Sequence, residues 1–227
     1  GKETDFPWER EAVDFVLNHK ELADVDPYQA WPLHEFSDPS TGRLYEVDLL
    51  ILGRHALYVV EIKSHPGVLR GDSRDWYFSD PATGKNWTLD NPYSLTNKKA
   101  QVLRGLIQRH NPDLKIRVEA LVFVSNQTAV IKLSNPGNER AVGRDHVIRA
   151  ITYGERLDEY LRRNLINQPM MRAVSDALRK AGFRASVAKR LVGEYELGAL
   201  LSEDDSSQEH VCQHRTISDR KTRIRSY

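Results

Sequence analysis

The sequence predicts an α/β fold, with a mixed central sheet of about five strands and helices on both sides. Three observations carry this expectation. Two strand-like runs, RLYEVDLLIL (43–52) and ALYVVEIKS (56–64), are separated only by the residues GRH. A third apolar run, KIRVEALVFVS (115–125), has the length and β-branched content of a buried strand. Helical spacing of apolar residues precedes these runs at 7–19 and falls between them at 91–110.

Each element has a local reason. Pro7 stands at a helix start after Asp5, and Trp8, Ala12, Phe15, Val16 and His19 then recur at helical spacing. The aromatic stretch YQAWPLHEF (28–36) contains Pro32, which cannot donate to a ladder and so belongs on a sheet edge or at a bulge. SDPSTG (37–42) is a turn cluster that leads into the hairpin formed by the two runs above. Residues 65–91, with Gly67, Gly71 and Gly84 and the turn DPATGKN, read as short strands and loops whose Trp and Tyr side chains pack rather than stack on bases. In 91–110 an apolar face is supplied by Leu95, Ala100, Val102, Leu103, Leu106 and Ile107. TAVIKL (128–133) is a further short strand, and residues 139–190 continue with helical patterns in which Met170 and Met171 are packing residues.

Composition narrows the class. The chain has 227 residues, 40% of them hydrophobic and 29% charged, and a mean hydropathy of −0.57. A folded chain of this size buries about 70% of its extended surface. The lone Cys212 excludes an intrachain disulfide, and the apolar runs are too short for a membrane span. GKETDFPWERE lacks the apolar segment of a secretory signal, so the expected location is cytoplasmic. The 33 Lys and Arg nearly balance the 32 Asp and Glu, which excludes a strongly basic coat but not a local basic cleft. Such a cleft is suggested at 97–117, where Lys98, Lys99, Arg104, Arg109, Lys115 and Arg117 face a single acid, Asp113.

The hairpin holds the chemistry. Asp48, Glu61 and Lys63 interrupt runs of Leu, Ile, Val and Tyr, and ionised groups in a buried strand are costly unless paired or bound to metal. Strict alternation would set Glu46, Asp48, Leu50 and Leu52 on one face, and Leu57, Val59, Glu61 and Lys63 on one face of the second strand. With the connection centred near Arg54 and His55, cross-strand partners sum to about 109, and Asp48 falls opposite Glu61 at a Cβ separation of about 5 Å. Two converging carboxylates demand a cation or a raised pKa, and an oxygen-only site suits Mg²⁺ or Mn²⁺. Lys63 then lies where it can orient or activate a water for phosphodiester hydrolysis. His34, His55 and His65 form no HxH or HExxH pair and have no Cys partner, so zinc is not expected.

Asp48 followed by Glu61, Ile62 and Lys63 resembles the D…ExK signature of the PD-(D/E)xK nuclease superfamily, in the version found in the NERD (nuclease-related) domain. YEVDLLILGRHALYVVEIKS is similar to that family's two core strands, and Gly71, Asp72, Trp76 and NPYSLTNKKAQVL (91–103) to its downstream blocks, so the resemblance spans roughly 8–135. It implies a nuclease-like mixed sheet flanked by helices, followed by a helical extension. It implies that Asp48 and Glu61 are metal ligands, that the Ile62 carbonyl is a third, and that Lys63 is the catalytic lysine. The family's first helix also supplies an acid, for which Glu11 is the first choice and Glu9 the second. No Gly precedes that acid here, and Leu95 stands where the family's block has Gln. Lys98, Lys99 and Arg104 are either a solvated helix face or phosphate contacts in a DNA groove, and His65 is a further phosphate contact.

Residues 192–227 resemble the opening strands of a protein-kinase N-lobe as it follows NERD domains in the kinases of phage-growth-limitation and BREX defence systems, on Tyr195, Leu197, Gly198 and His214. There is no GxGxxG, and the chain stops before a strand with a nucleotide-binding Lys. The expected organisation is a nuclease-like domain over 1–138, a helical extension or linker over 139–191 and the start of a kinase lobe over 192–227. The expected function is metal-dependent DNA hydrolysis beside a C-terminal kinase. The alternatives are an inactive DNA-binding or oligomerising module that controls that kinase, and a kinase accessory fragment with no nucleic-acid role. Other defence components and a second copy of the chain are further partners the resemblance allows, and a membrane is not.

Overall fold

A computed structural model describes residues 7–25, 28–133, 140–163 and 165–186, and the backbone of 191–192, 195–204, 207–214 and 221–226. It divides into two compact units, Gly1–Ala185 and Ser186–Tyr227. The first opens with α1 (Pro7–Leu17) and the short α2 (Lys20–Ala23), followed by β1 (Gln29–Ser37), β2 (Leu44–Leu52) and β3 (Leu57–Lys63). Then come β4 (Val68–Gly71), β5 (Asp75–Ser79), β6 (Asn86–Asp90), α3 (Pro92–His110), β7 (Val118–Val124) and β8 (Val130–Ile131). It closes with β9 (Ala141–Val142), α4 (Arg144–Tyr153), α5 (Glu159–Arg162), α6 (Gln168–Lys180) and β10 (Arg184–Ala185).

The central sheet has six strands in the order β10-β1-β2-β3-β7-β9. It is mixed: the pairs from β10 to β3 are antiparallel, while β3–β7 and β7–β9 are parallel. The parallel pairing of β3 with β7 needs a long crossover, and α3 supplies it. That helix starts cleanly because the Asn91 side chain accepts from the Tyr93 amide at 3.0 Å and Pro92 occupies its first turn.

The two faces of the sheet are covered by different helices. Leu50, Leu52, Leu57 and Val59 meet Ala100, Leu103, Leu106 and Ile107 of α3 and Val174, Ala177 and Leu178 of α6. Leu49, Ile51, Tyr58, Val60 and Ile62 meet Ala12, Val13 and Val16 of α1 and Val147, Ile148 and Ile151 of α4. Each fully buried Leu, Ile or Val contributes about 1.5–3 kcal/mol of transfer free energy. A smaller sheet, ordered β6-β5-β4-β8, packs Leu69, Trp76 and Phe78 against Val122, Val124 and Ala141, so Trp76 and the partly buried Trp87 are packing residues, whereas Tyr77 is exposed.

The β2–β3 turn shows why Gly53 is needed. A Cβ there would lie 2.7 Å from the Ile151 carbonyl oxygen, so only glycine lets α4 come this close.

The expected boundary at 138 lies outside the described residues. Beyond it, the stretch expected to be a helical appendage or linker joins the sheet at both edges. Buried Ala141 and Val142 extend it beside β7, and β10 pairs with β1 through His34↔Ala185 and Glu35↔Arg184. The cause is visible in the sequence: the apolar faces of α4 and α6 need a sheet to bury against. Pro32 accordingly lies in a strand whose second neighbour is only two residues long. Among the described residues no helix is long and apolar enough to cross a membrane.

The second unit is a four-stranded antiparallel sheet, β11 (Leu191–Val192), β12 (Tyr195–Asp204), β13 (Ser207–His214) and β14 (Lys221–Ser226), in sequential order. The side chains of the kinase-like residues Tyr195, Leu197, Gly198 and His214 lie outside the described residues.

Candidate active site

The site forms where β2 and β3 part. Their register keeps the sum of 109 through Leu52↔Leu57, Ile51↔Tyr58, Leu50↔Val59 and Leu49↔Val60, and the ladder then ends. Beyond its end the Asp48 carboxylate replaces a main-chain partner, its Oδ2 accepting from the Ile62 amide at 2.8 Å. The Ile62 carbonyl points to the same strand edge as its amide, because N–H and C=O of one strand residue share a side.

Asp48 also marks a break on the other side of β2. The β1–β2 ladder pairs Pro32↔Leu49 and His34↔Val47 but skips Leu33, which would face Asp48. Leu33 has φ of 51°, in the left-handed region, where a side chain costs about 1–2 kcal/mol. Across this break the alternation slips. Tyr45 and Val47 share a core with Leu50 and Leu52, while Leu49 and Ile51 face the opposite core. Strict alternation, with Glu46, Asp48, Leu50 and Leu52 on one face, therefore does not hold. Asp48 sits at this break, and its side chain reaches the Ile62 amide across the strand edge.

Glu61 is held by two ammonium groups. Lys63, on the same face of β3, donates to Oε1 at 2.8 Å, and Lys99 of α3 donates to Oε2 at 2.8 Å. Lys99 was expected to be on a solvated face or to contact phosphate. It is buried, because it sits on the same helical stripe as Thr96, Leu103 and Leu106, all buried. Lys98 and Arg104 lie on the exposed face of α3. The main chain of Lys63 is pinned to the sheet by the Ser125 amide, which donates to its carbonyl at 2.9 Å.

The charges are mutually perturbed. Burial first, then the charges of Glu61 and Glu9, push the Asp48 carboxyl up to about 7. Burial would raise Glu61 as well, but Lys63 and Lys99 outweigh it and hold that carboxyl below its usual range. Lys63 is partly desolvated, yet Glu61 and Asp48 raise its ammonium above the ordinary value, so it is a cation at neutral pH.

Two other expected residues lie elsewhere. The Glu11 carboxylate is 52% exposed and pairs with Arg144, whose guanidinium also covers the Phe15 ring at 4.6 Å. Its role here is to tie α1 to α4. Glu9 is the carboxylate of α1 whose charge reaches Asp48 and Lys63. Helical periodicity held that signal: Glu9 precedes buried Ala12, Val13 and Val16 by three, four and seven residues, and Glu11 does not. The His65 ring is stacked on Phe78 and set edge-on to Trp87. Burial and then Lys63 lower its pKa, leaving a neutral imidazole, a weaker phosphate partner than a cation.

Among the described residues no three His, Cys, Asp or Glu side chains gather as a metal cage. The donors present are two carboxylates, Asp48 and Glu61, and one main-chain edge. Burial first, and then the charges of Glu61 and Glu9, hold Asp48 near 7, so a cation beside it would favour its ionised form. The available oxygens suit a hard divalent cation that keeps several waters.

The family model described as nuclease-related domain, NERD, matches residues 5–125. Among curated proteins, the chain is 31% identical over 195 residues to a probable kinase, PglW, of Streptomyces coelicolor strain A3(2). That alignment covers 86% of this chain but 12% of the relative, so the chain spans about an eighth of the relative's length. No solved structure matches. The site described here lies wholly inside the matched segment, which is more than half of the chain, and the chain belongs to the nuclease-related domain family.

Proposed function

We propose that this chain is a divalent-metal-dependent nuclease domain that hydrolyses DNA phosphodiesters, and that it forms the N-terminal part of a cytoplasmic phage-defence protein kinase. The observation that carries the nuclease reading is the convergence of Asp48, Glu61 and Lys63 where β2 separates from β3. Asp48 and Glu61, with the Ile62 carbonyl, would hold Mg²⁺ or Mn²⁺. Such a cation, when bound, polarises a phosphoryl oxygen and lowers the pKa of water. Lys63 is an ammonium and so acts as a charge: it orients the attacking water and neutralises negative charge growing on the phosphate oxygens. Water's oxygen bonds to phosphorus, one P–O ester bond breaks, and the water proton ends on the leaving oxygen or in solvent. Lys98 and Arg104, exposed on α3, are the phosphate contacts that hold the strand. The kinase context rests on the named relative and on the kinase-like residues after 192.

Nicking of supercoiled plasmid with Mn²⁺ tests the reading. Activity is expected in the wild type and absent in Lys63→Ala and Asp48→Ala; equal nicking by all three sinks it. One observation favours a second reading, an inactive DNA-binding or oligomerising module that controls the kinase. Both oxygens of Glu61 are already neutralised by lysines, so the cluster balances its charge without a metal. Salt-dependent DNA binding without nicking would support that reading.

A further inference from the structure

We propose that Lys99 is the fixed strut of this site, a positioning residue that holds one oxygen of Glu61 so that the other can serve a cation, while Lys63 is the ammonium that yields. The proposal rests on the metal-dependent reading above. Glu61 has two oxygens, each with an ammonium at 2.8 Å. A divalent cation held by Glu61 would share an oxygen with one of these ammonium groups, and the repulsion between two cations on one oxygen favours that lysine letting go.

The distances do not choose between the two lysines, but burial does. The Lys99 side chain is 9% exposed and that of Lys63 is 24% exposed. Lys99 also rises from the buried stripe of α3, a helix fixed by its Asn91 cap and packed against the sheet through Ala100 and Leu103. Taking its ammonium off Glu61 would leave a buried charge unpaired, among the costliest changes a protein interior can undergo. Lys63 ends β3, with a flexible stem and more access to water, so its head group can leave Glu61 for solvent or a phosphate at less cost than Lys99.

The asymmetry gives each lysine one task. Lys99 acts through Glu61 and touches no nucleic acid. Lys63 is free to meet the reacting phosphate. The sequence alone offers Lys63 as the catalytic lysine and Lys99 as a solvated or phosphate-contacting residue; their shared partner Glu61 brings them together, and their unequal burial separates their tasks.

Manganese binding to the full 227-residue chain, read from loss of the free Mn²⁺ electron paramagnetic resonance signal, tests this without turnover. Lys99→Met is expected to weaken binding by about tenfold, as loss of a group that orients a ligand commonly does. Lys99→Arg, which keeps the charge, should restore affinity to within about threefold of wild type. Lys63→Met should bind at least as tightly as wild type. Far-UV circular dichroism checks the fold, and Lys99→Gln replaces Lys99→Met if the latter does not fold. Binding unchanged in Lys99→Met, or weakened equally in Lys63→Met, overturns the strut alone. A wild-type chain with no manganese binding that depends on Asp48 overturns the proposed function as well.

Discussion

The Asp48 carboxylate occupies the place where the Ile62 amide would otherwise meet a main-chain carbonyl of β2, at 2.8 Å. An acid is thereby built into the sheet at the point where the ladder stops. It satisfies a strand donor and at the same time carries a charge the interior disfavours. Asparagine could do the first task without the second, so the two can be separated by experiment.

Asp48→Asn should raise thermal stability at pH 8 and leave it nearly unchanged near pH 4. The folded pKa of about 7 lies above the ordinary 3.8. Between those values the folded chain keeps a proton that the unfolded chain has lost, so stability falls as pH rises through this window, and the full penalty is present above it. Removing the carboxyl is worth on the order of 4 kcal/mol at pH 8, or about 8–16 °C in Tm for a chain of this size. Thermal unfolding of both proteins across pH 4–8 measures it, and a difference that does not grow with pH would contradict the assignment.

Gly53→Ala should destabilise the first unit by about 1–3 kcal/mol, the usual cost of forcing a backbone shift in a packed region. The added methyl would sit 2.7 Å from the Ile151 carbonyl. Ala at Gly105, where nothing lies within 4 Å of the position, is the control. It should be neutral or slightly stabilising, because Ala exceeds Gly in helix propensity by about 1 kcal/mol. Urea unfolding of the two variants measures the contrast.

The hairpin was legible because its register is set by a short turn and an apolar pattern, both local. The sum of 109 follows from the length of the run and the position of Arg54 and His55 alone. Periodicity also gave α3 and most of its buried face. What it did not give is the slip at Asp48, since this depends on Leu33 adopting a left-handed conformation in a neighbouring strand. Lys99 lies inside and not on a solvated face, because its place on the helical stripe outweighs the cost of its charge. The stripe of Thr96, Leu103 and Leu106 decides, and Glu61 supplies the partner that makes a buried lysine tolerable. The strands at the sheet edges, β9 and β10, are two residues each and leave no periodic signal at all.

DNA binding should depend on the exposed face of α3 in a sequence-independent way. Lys98→Ala and Arg104→Ala each remove a cation from that face. Each should weaken binding uniformly across DNA sequences and reduce the slope of log affinity against log salt by about 1. Fluorescence anisotropy with two unrelated duplexes over a salt series reads both quantities. A loss confined to one duplex would mean base recognition, and no loss would place the DNA on another surface.

The two acids of α1 should differ sharply in function. Glu11 is half in solvent and paired with Arg144, and exposed ion pairs are worth about 0–1 kcal/mol. Glu11→Gln is therefore expected to leave manganese affinity unchanged and stability nearly so. Glu9 lies one helical step from the buried stripe of α1, and its charge is felt by both Asp48 and Lys63. Glu9→Gln removes negative potential from a site that must attract a divalent cation, and should weaken manganese binding by about tenfold, in the range of other groups that support metal ligands. It should also make Asp48 easier to ionise, because one of the charges that raise its pKa is gone. The stability lost between pH 4 and 8 should then be smaller than in wild type. Equal manganese affinity in Glu9→Gln and wild type, with loss in Glu11→Gln instead, would return the acid of the first helix to Glu11.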